Sequence, residues 1–128
     1  MADIFSTLDD EKSLRLFKAL GIKAGSSEDF TYRLKLSHKE YYSRMSRFVR
    51  IGIVKRKNRK YYLTALGIVV HDSEEIVSRA VNNLWKLKAI DSIDLSNGIT
   101  THERKRLLES LVDDTDIRQI LSSRFSPR

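Results

Sequence analysis

The sequence predicts a mainly α-helical protein with one small β-hairpin and a long helical C-terminal extension, and three observations carry that prediction. First, Ser37 and Glu40 form S-x-x-E immediately before apolar residues at helical spacing, Tyr41, Met45, Phe48 and Ile51. Second, "IVKRKNRKYYLT" is apolar or aromatic at both ends and polar around Asn58, the pattern of an antiparallel hairpin. Third, Val70, Val77, Ala80, Val81, Leu84 and Leu87 form a stripe at close to heptad spacing, which asks for one long helix.

From the start of the chain, "STLDDEKSLRLFKAL" predicts a first helix. Ser6 or Thr7 would cap it, Asp9, Asp10 and Glu11 suit its positive end, and Gly21 would stop it in a left-handed conformation. Ser26 or Ser27 would cap a short second helix with Phe30 and Leu34 inward. A third helix begins at His38 and buries Tyr41, Met45, Phe48 and Ile51 before Gly52 ends it, with Ile53 packing back. The hairpin turns near residues 57 to 59 and places Tyr61 and Leu63 on one face, assigned to the core. Thr64 caps the long helix through "ALGIVVHDSEEIVSRAVNNLWKLKA". Thr100 with Glu103 repeats the S/T-x-x-E pattern, so two further helices follow, with Leu107, Leu108, Leu111, Val112, Ile117, Ile120 and Leu121 supplying apolar faces. The expected organisation is residues 1–68 as one domain and 69–128 as the helical extension.

The chain has 128 residues, 41% hydrophobic and 32% charged, with one Pro and no Cys. That composition suits folding throughout and excludes disulfides, thiolate metal sites and thiol sensing. The opening "MADIFSTLDDEK" lacks a basic, apolar leader and no run approaches a membrane span, so a cytoplasmic protein is expected. Charge is unevenly distributed. Residues 35–60 hold ten Lys or Arg against Glu40 alone, a balance of +9, and the flanking segments are close to neutral. A concentration of this kind is the footprint expected of a polyanion-binding surface.

A duplex major groove admits one helix, and the phosphates beside it reward positive charge. On the helix beginning at His38, the N-terminal half would enter the groove, making His38, Lys39, Tyr42, Ser43 and Arg44 the base-reading candidates, with Ser46 at the margin. Arg47 and Arg50 would meet phosphate. In the hairpin, Lys55, Arg56, Lys57, Asn58, Arg59 and Lys60 would lie on the backbone and reach the minor groove.

Catalysis has no footing here: there is no glycine-rich phosphate loop, no cysteine and no defensible nucleophile with a base, and helix capping accounts for Asp113, Asp114 and Asp116. His71, Asp72, His102 and Glu103 match no metal-ligand spacing, and no metal or cofactor is expected. Two other classes stay open. One is RNA or ribosome binding through the same basic surface, against which few aromatics other than Tyr42 and Tyr62 are available for base stacking. The other is a protein-protein adaptor, which would have no use for the +9 segment.

"LSHKEYYSRMSRFVRIGIVKRKNRKYYLTALG" resembles the recognition helix, wing and following helix of winged helix-turn-helix transcriptional regulators, particularly the ArsR-like and archaeal groups. The landmarks are Leu36, Ser37, Gly52, Ile53, Val54, Tyr61, Leu63, Thr64 and Gly67. The close likeness spans about 32 residues, with a weaker one over residues 13–87. It implies a homodimer on a pseudo-palindromic duplex site in a nucleoid-associated cytoplasmic protein, with the transcription machinery as a further partner. Within that frame the long helix would supply the dimer interface through Val70, Val77, Val81, Leu84 and Trp85; the same stripe could instead pack on the C-terminal helices. Absence of cysteine separates the chain from thiolate metal sensors of that class.

Overall fold

The computed structural model describes residues 2–22, 27–94 and 100–125. Among them, helices α1 (Ala2–Leu8), α2 (Glu11–Ile22), α3 (Ser27–Leu34) and α4 (His38–Ile51) precede the antiparallel strands β1 (Val54–Lys57) and β2 (Lys60–Leu63). Helices α5 (Ala65–Asn82), α6 (Leu84–Asp94), α7 (Thr101–Leu111) and α8 (Thr115–Phe125) follow. The protein is thus mainly helical with one two-stranded hairpin. The chain divides into two compact units, residues 1–73 and 74–128. The boundary expected at residue 68 falls inside α5.

Two helices replace the single first helix expected from Ser6 or Thr7. Asp10 is the reason: its carboxylate accepts from the Ser13 N–H (3.2 Å) and hydroxyl (2.8 Å), an N-cap that starts a new helix at Glu11. Thr7 caps nothing; it is buried inside α1, its hydroxyl donating to the Asp3 carbonyl. Nor does Gly21 stop a helix in a left-handed conformation. It lies within α2, where a Cβ would stand 2.1 Å from His71 Cδ2, so its lack of a side chain admits the His71 ring. Ser26 as a cap lies outside the described residues. Phe30 of α3 is buried and Leu34 half-buried, as the spacing required.

At α4 the sequence pattern and the structure coincide. The Ser37 hydroxyl accepts from the Glu40 N–H, and the Glu40 carboxylate accepts from the Ser37 N–H, both at 3.1 Å. Tyr41, Met45 and Phe48 are fully buried and Ile51 is half-buried. Gly52 closes the helix at φ 91°, and the Ile53 N–H returns to the Phe48 carbonyl. These side chains join Leu16, Phe17 and Phe30 in the core of the first unit. The hairpin pairs Val54 with Leu63, Lys55 with Tyr62, Arg56 with Tyr61 and Lys57 with Lys60. Asn58 and Arg59 make its turn with positive φ at both positions, 52° and 64°, the arrangement that follows the strands' own twist. Tyr61 is buried, as its face requires, and Val54 with it. Thr64 fastens the hairpin base: its hydroxyl donates to the Gly52 carbonyl (2.6 Å) and accepts the Gly67 N–H that opens α5.

The expected long helix is interrupted at Asn83, whose side-chain amide donates to the Arg79 carbonyl while its own carbonyl accepts from the Lys86 and Leu87 N–H groups. In the second unit, Ile90, Leu108, Val112 and Ile117 are buried together, with Ile76, Ala80, Leu87, Leu111 and Leu121 packed around them. Leu107 and Ile120, expected inward, are exposed. Thr100 and Glu103 form the capping box of α7. Asp114 caps α8 through the Ile117 N–H (3.1 Å) and also takes Arg79 Nε (2.6 Å), while Arg79 Nη2 reaches Asp116 (2.7 Å). No described helix is long and apolar enough to cross a membrane.

Candidate nucleic-acid interface

Because Tyr41, Met45 and Phe48 fix the inner face of α4, helical periodicity fixes the outer one. Lys39, Ser43, Ser46 and Arg50 follow at four, three and four residues and all are exposed, forming a ridge along the helix. Ser46 therefore belongs on the outward face as fully as Ser43. Tyr42 and His38 lie along one side of this ridge, exposed, with their rings nearly parallel at 6.5 Å. Arg47 lies along the other side.

Arg44, expected to read bases, is held at the surface by another part of the chain. Its Nε and Nη2 both donate to Asp10 Oδ2, at 3.1 and 2.9 Å, and its Nη1 to the Glu40 carbonyl at 3.2 Å. The cause is rotational: Arg44 stands one turn after Glu40, on the flank of α4 that meets the start of α2. Glu40, the one acidic residue in the basic segment, is paired with Lys12 of α2. The Lys12 ammonium, with the Ser37 N–H, holds the Glu40 carboxyl down at about 2. The Ser13 hydroxyl, aided by Arg44, likewise depresses Asp10. Asp10 and Glu40 are thus ionised and each is paired with a cation of the chain itself.

In the hairpin, Lys55, Arg56, Lys57, Asn58, Arg59 and Lys60 are all exposed. Arg56 shares the Tyr61 face and its guanidinium stands 5.8 Å from that ring's centroid. Lys57 and Lys60 face each other across the ladder. Among the described residues, no carboxylate lies within ion-pairing distance of Lys39, Arg47, Arg50 or any of these hairpin cations. A hollow bordered by Asp3, Arg47, Arg50 and Ile51 lies at the C-terminal end of α4.

Of the apolar stripe expected to pair two chains, Val70 is otherwise occupied: it is half-buried against the core of the first unit. Val77, Val81, Leu84 and Trp85 are exposed in the second unit, Trp85 by 67%. Val77, Val81 and Leu84 border an entirely apolar groove with Ile76, Ala80, Leu87, Ile117, Ile120 and Leu121. No group of three or more metal-ligating side chains converges among the described residues.

What sequence reasoning missed is the double link between α2 and α4. Half of it was visible, since D-x-x-S at residues 10–13 is an N-cap pattern; the pairing with Arg44 depends on how the two helices pack. No family model matches this chain, and no curated protein or solved structure does.

Proposed function

We propose that this protein is a winged helix-turn-helix transcriptional regulator that binds double-stranded DNA sequence-specifically as a homodimer. The observation that carries the reading is the α4 ridge: an outward row of Lys39, Ser43, Ser46 and Arg50 on a helix closed by caps at both ends, beside a hairpin of five cations with no carboxylate among the described residues within ion-pairing distance. In this reading α4 enters the major groove, where His38, Lys39, Tyr42, Ser43 and Ser46 meet base edges. Arg47, Arg50, Lys55, Arg56, Lys57, Arg59 and Lys60 hold phosphate, and Asn58 at the hairpin tip approaches the minor groove. Arg44 is withdrawn from the readers because Asp10 holds it. Val77, Val81, Leu84 and Trp85 supply the contact between two copies, so the site recognised is an inverted repeat. The protein acts in the cytoplasm, on the nucleoid, in contact with the transcription machinery.

Selection from a pool of random duplexes tests this. An inverted-repeat motif is expected, and Ser43→Ala or Lys39→Ala should shift the preferred base at one position of each half-site, each good base contact being worth about 1–3 kcal/mol of discrimination. Enrichment of no motif, or a motif unchanged in both variants, would remove α4 as the reader.

A further inference from the structure

The start of α2 and the start of α4 are joined by one polar network. Asp10 Oδ2 alone receives four donors: the Ser13 N–H, the Ser13 hydroxyl, and Nε and Nη2 of Arg44. Arg44 continues to the Glu40 carbonyl; the Glu40 carboxylate closes the α4 cap on the Ser37 N–H and takes the ammonium of Lys12. The two links run in opposite senses, acid on α2 to base on α4 and base on α2 to acid on α4. Each ties an N-cap arrangement to the neighbouring helix. The Arg44 side chain is 21% exposed and that of Asp10 50%, so the link lies at the surface with most of the arginine side chain covered.

The buried face of α4 consists of Tyr41, Met45 and Phe48, a column of contacts that resists removal of the helix from the core. Small rotation about the helix axis is resisted less by such a column than by a link on the flank. The Asp10–Arg44 link is on that flank, one helical position after Ser43, and a modest turn of α4 would carry Ser43 and Ser46 away from a base edge while leaving the core filled. Base-edge hydrogen bonds are directional, so such a displacement lowers discrimination. Phosphate contacts made by long Lys and Arg side chains tolerate it.

We propose that Arg44 is a positioning residue for DNA recognition: held by Asp10, it sets the rotation of α4 and so determines which side chains on the ridge reach the bases. This rests on the duplex-reading function proposed above. It makes two carboxylates in a DNA-facing region part of its specificity and gives Arg44, the least exposed cation of that helix, a role without a nucleic-acid contact.

A double-mutant cycle with Asp10→Ser, which keeps an N-cap oxygen for α2, and Arg44→Leu tests the proposal on the full chain. The readouts are the affinity ratio between the selected duplex and a scrambled one, and the slope of affinity against salt. Circular dichroism melts run alongside. Each single variant is expected to lose about tenfold in the affinity ratio, the double variant no more than either single, and the salt slope of all three to match the parent. Arg44→Lys, which keeps the charge but not the two-pronged contact, is expected to recover the ratio only in part. If Arg44→Leu lowers the slope by about one while Asp10→Ser leaves the ratio unchanged, Arg44 touches DNA directly and the proposal is overturned. If the ratio falls only in parallel with melting temperature, the link is merely structural and the proposal is likewise overturned. Failure of the parent itself to discriminate any duplex would instead overturn the DNA-reading function, and this inference with it.

Discussion

Tyr41 is the residue most closely placed between core and interface. Its ring is fully buried against Phe30, Tyr42 and Tyr61, and among the described residues its hydroxyl has no hydrogen-bond partner. Burial, reinforced by the neighbouring phenols, pushes that hydroxyl's ionisation far up. An unsatisfied buried hydroxyl costs about 1–3 kcal/mol, so Tyr41→Phe is expected to raise stability by on the order of 1 kcal/mol in urea unfolding. An equal loss would reveal a partner for the hydroxyl. Phe48→Ala, by contrast, empties a fully buried site against Phe17 and should cost about 3–5 kcal/mol. Glu40 contributes through its charge. Its folded pKa is depressed from 4.5 to about 2, so its contribution to stability is complete above 4.5 and disappears as pH falls towards 2. Melting curves across that range should fall less steeply for Glu40→Gln than for the parent. At this scale the sequence disclosed the buried face of α4 and the caps at Ser37, Thr64 and Thr100, because these depend on residues within one turn of each other. It missed the Asp10 cap and turned Leu107 and Ile120 inward. The pairing of Arg44 was not legible because the carboxylate that holds it is 34 positions away in the chain.

Elements declared themselves where local chemistry decides them. The S/T-x-x-E boxes at Ser37 and Thr100 both start helices, and the hairpin turns about Asn58. Helix breaks were less legible. Asp10 and Asn83 interrupt helices because their side chains compete for nearby backbone groups, and in both cases the apolar periodicity continues past the break. The hairpin also shows charge placed against local stability. Lys57 and Lys60 are cross-strand partners, a like-charge pairing that destabilises a ladder, and Arg59 adopts a left-handed conformation unusual for a residue other than Gly, Asn or Asp. Under the proposed function a polyanion relieves that repulsion. Replacing Lys57 and Arg59 together with Ala is accordingly expected to leave melting temperature unchanged or raised, while weakening binding to all duplexes alike and reducing the salt slope by about two per chain. Loss of affinity for a single sequence would make the hairpin a reader of bases.

Across the whole molecule, the basic segment and the apolar groove fall in different units, although the first unit also exposes single apolar side chains such as Ile22, Tyr32 and Val69. The basic residues 35–60 lie in the first, and the exposed Val77, Val81, Leu84 and Trp85 in the second. Such a division suits a protein in which one unit meets nucleic acid and the other a second copy. The sequence stripe that suggested pairing was partly misleading, since Val70 belongs to the core of the first unit; a heptad pattern alone does not distinguish a face that packs internally from one left open. Val81→Glu with Trp85→Glu should convert a dimer to a monomer in sedimentation and cost the preference for inverted repeats, with weak salt-dependent duplex binding retained. A monomer before substitution would exclude that interface.

Joint binding of duplex DNA by the α4 ridge and the basic hairpin is the core of the proposed function. It is tested most directly by measuring affinity for random duplex DNA and for a matched RNA across a salt series, at constant protein concentration. Duplex binding is expected to fall steeply with salt and to exceed binding to the RNA at every salt concentration. Equal or tighter binding to the RNA would contradict it and assign the surface to RNA, and no binding to either at low salt would leave the basic face to a protein partner.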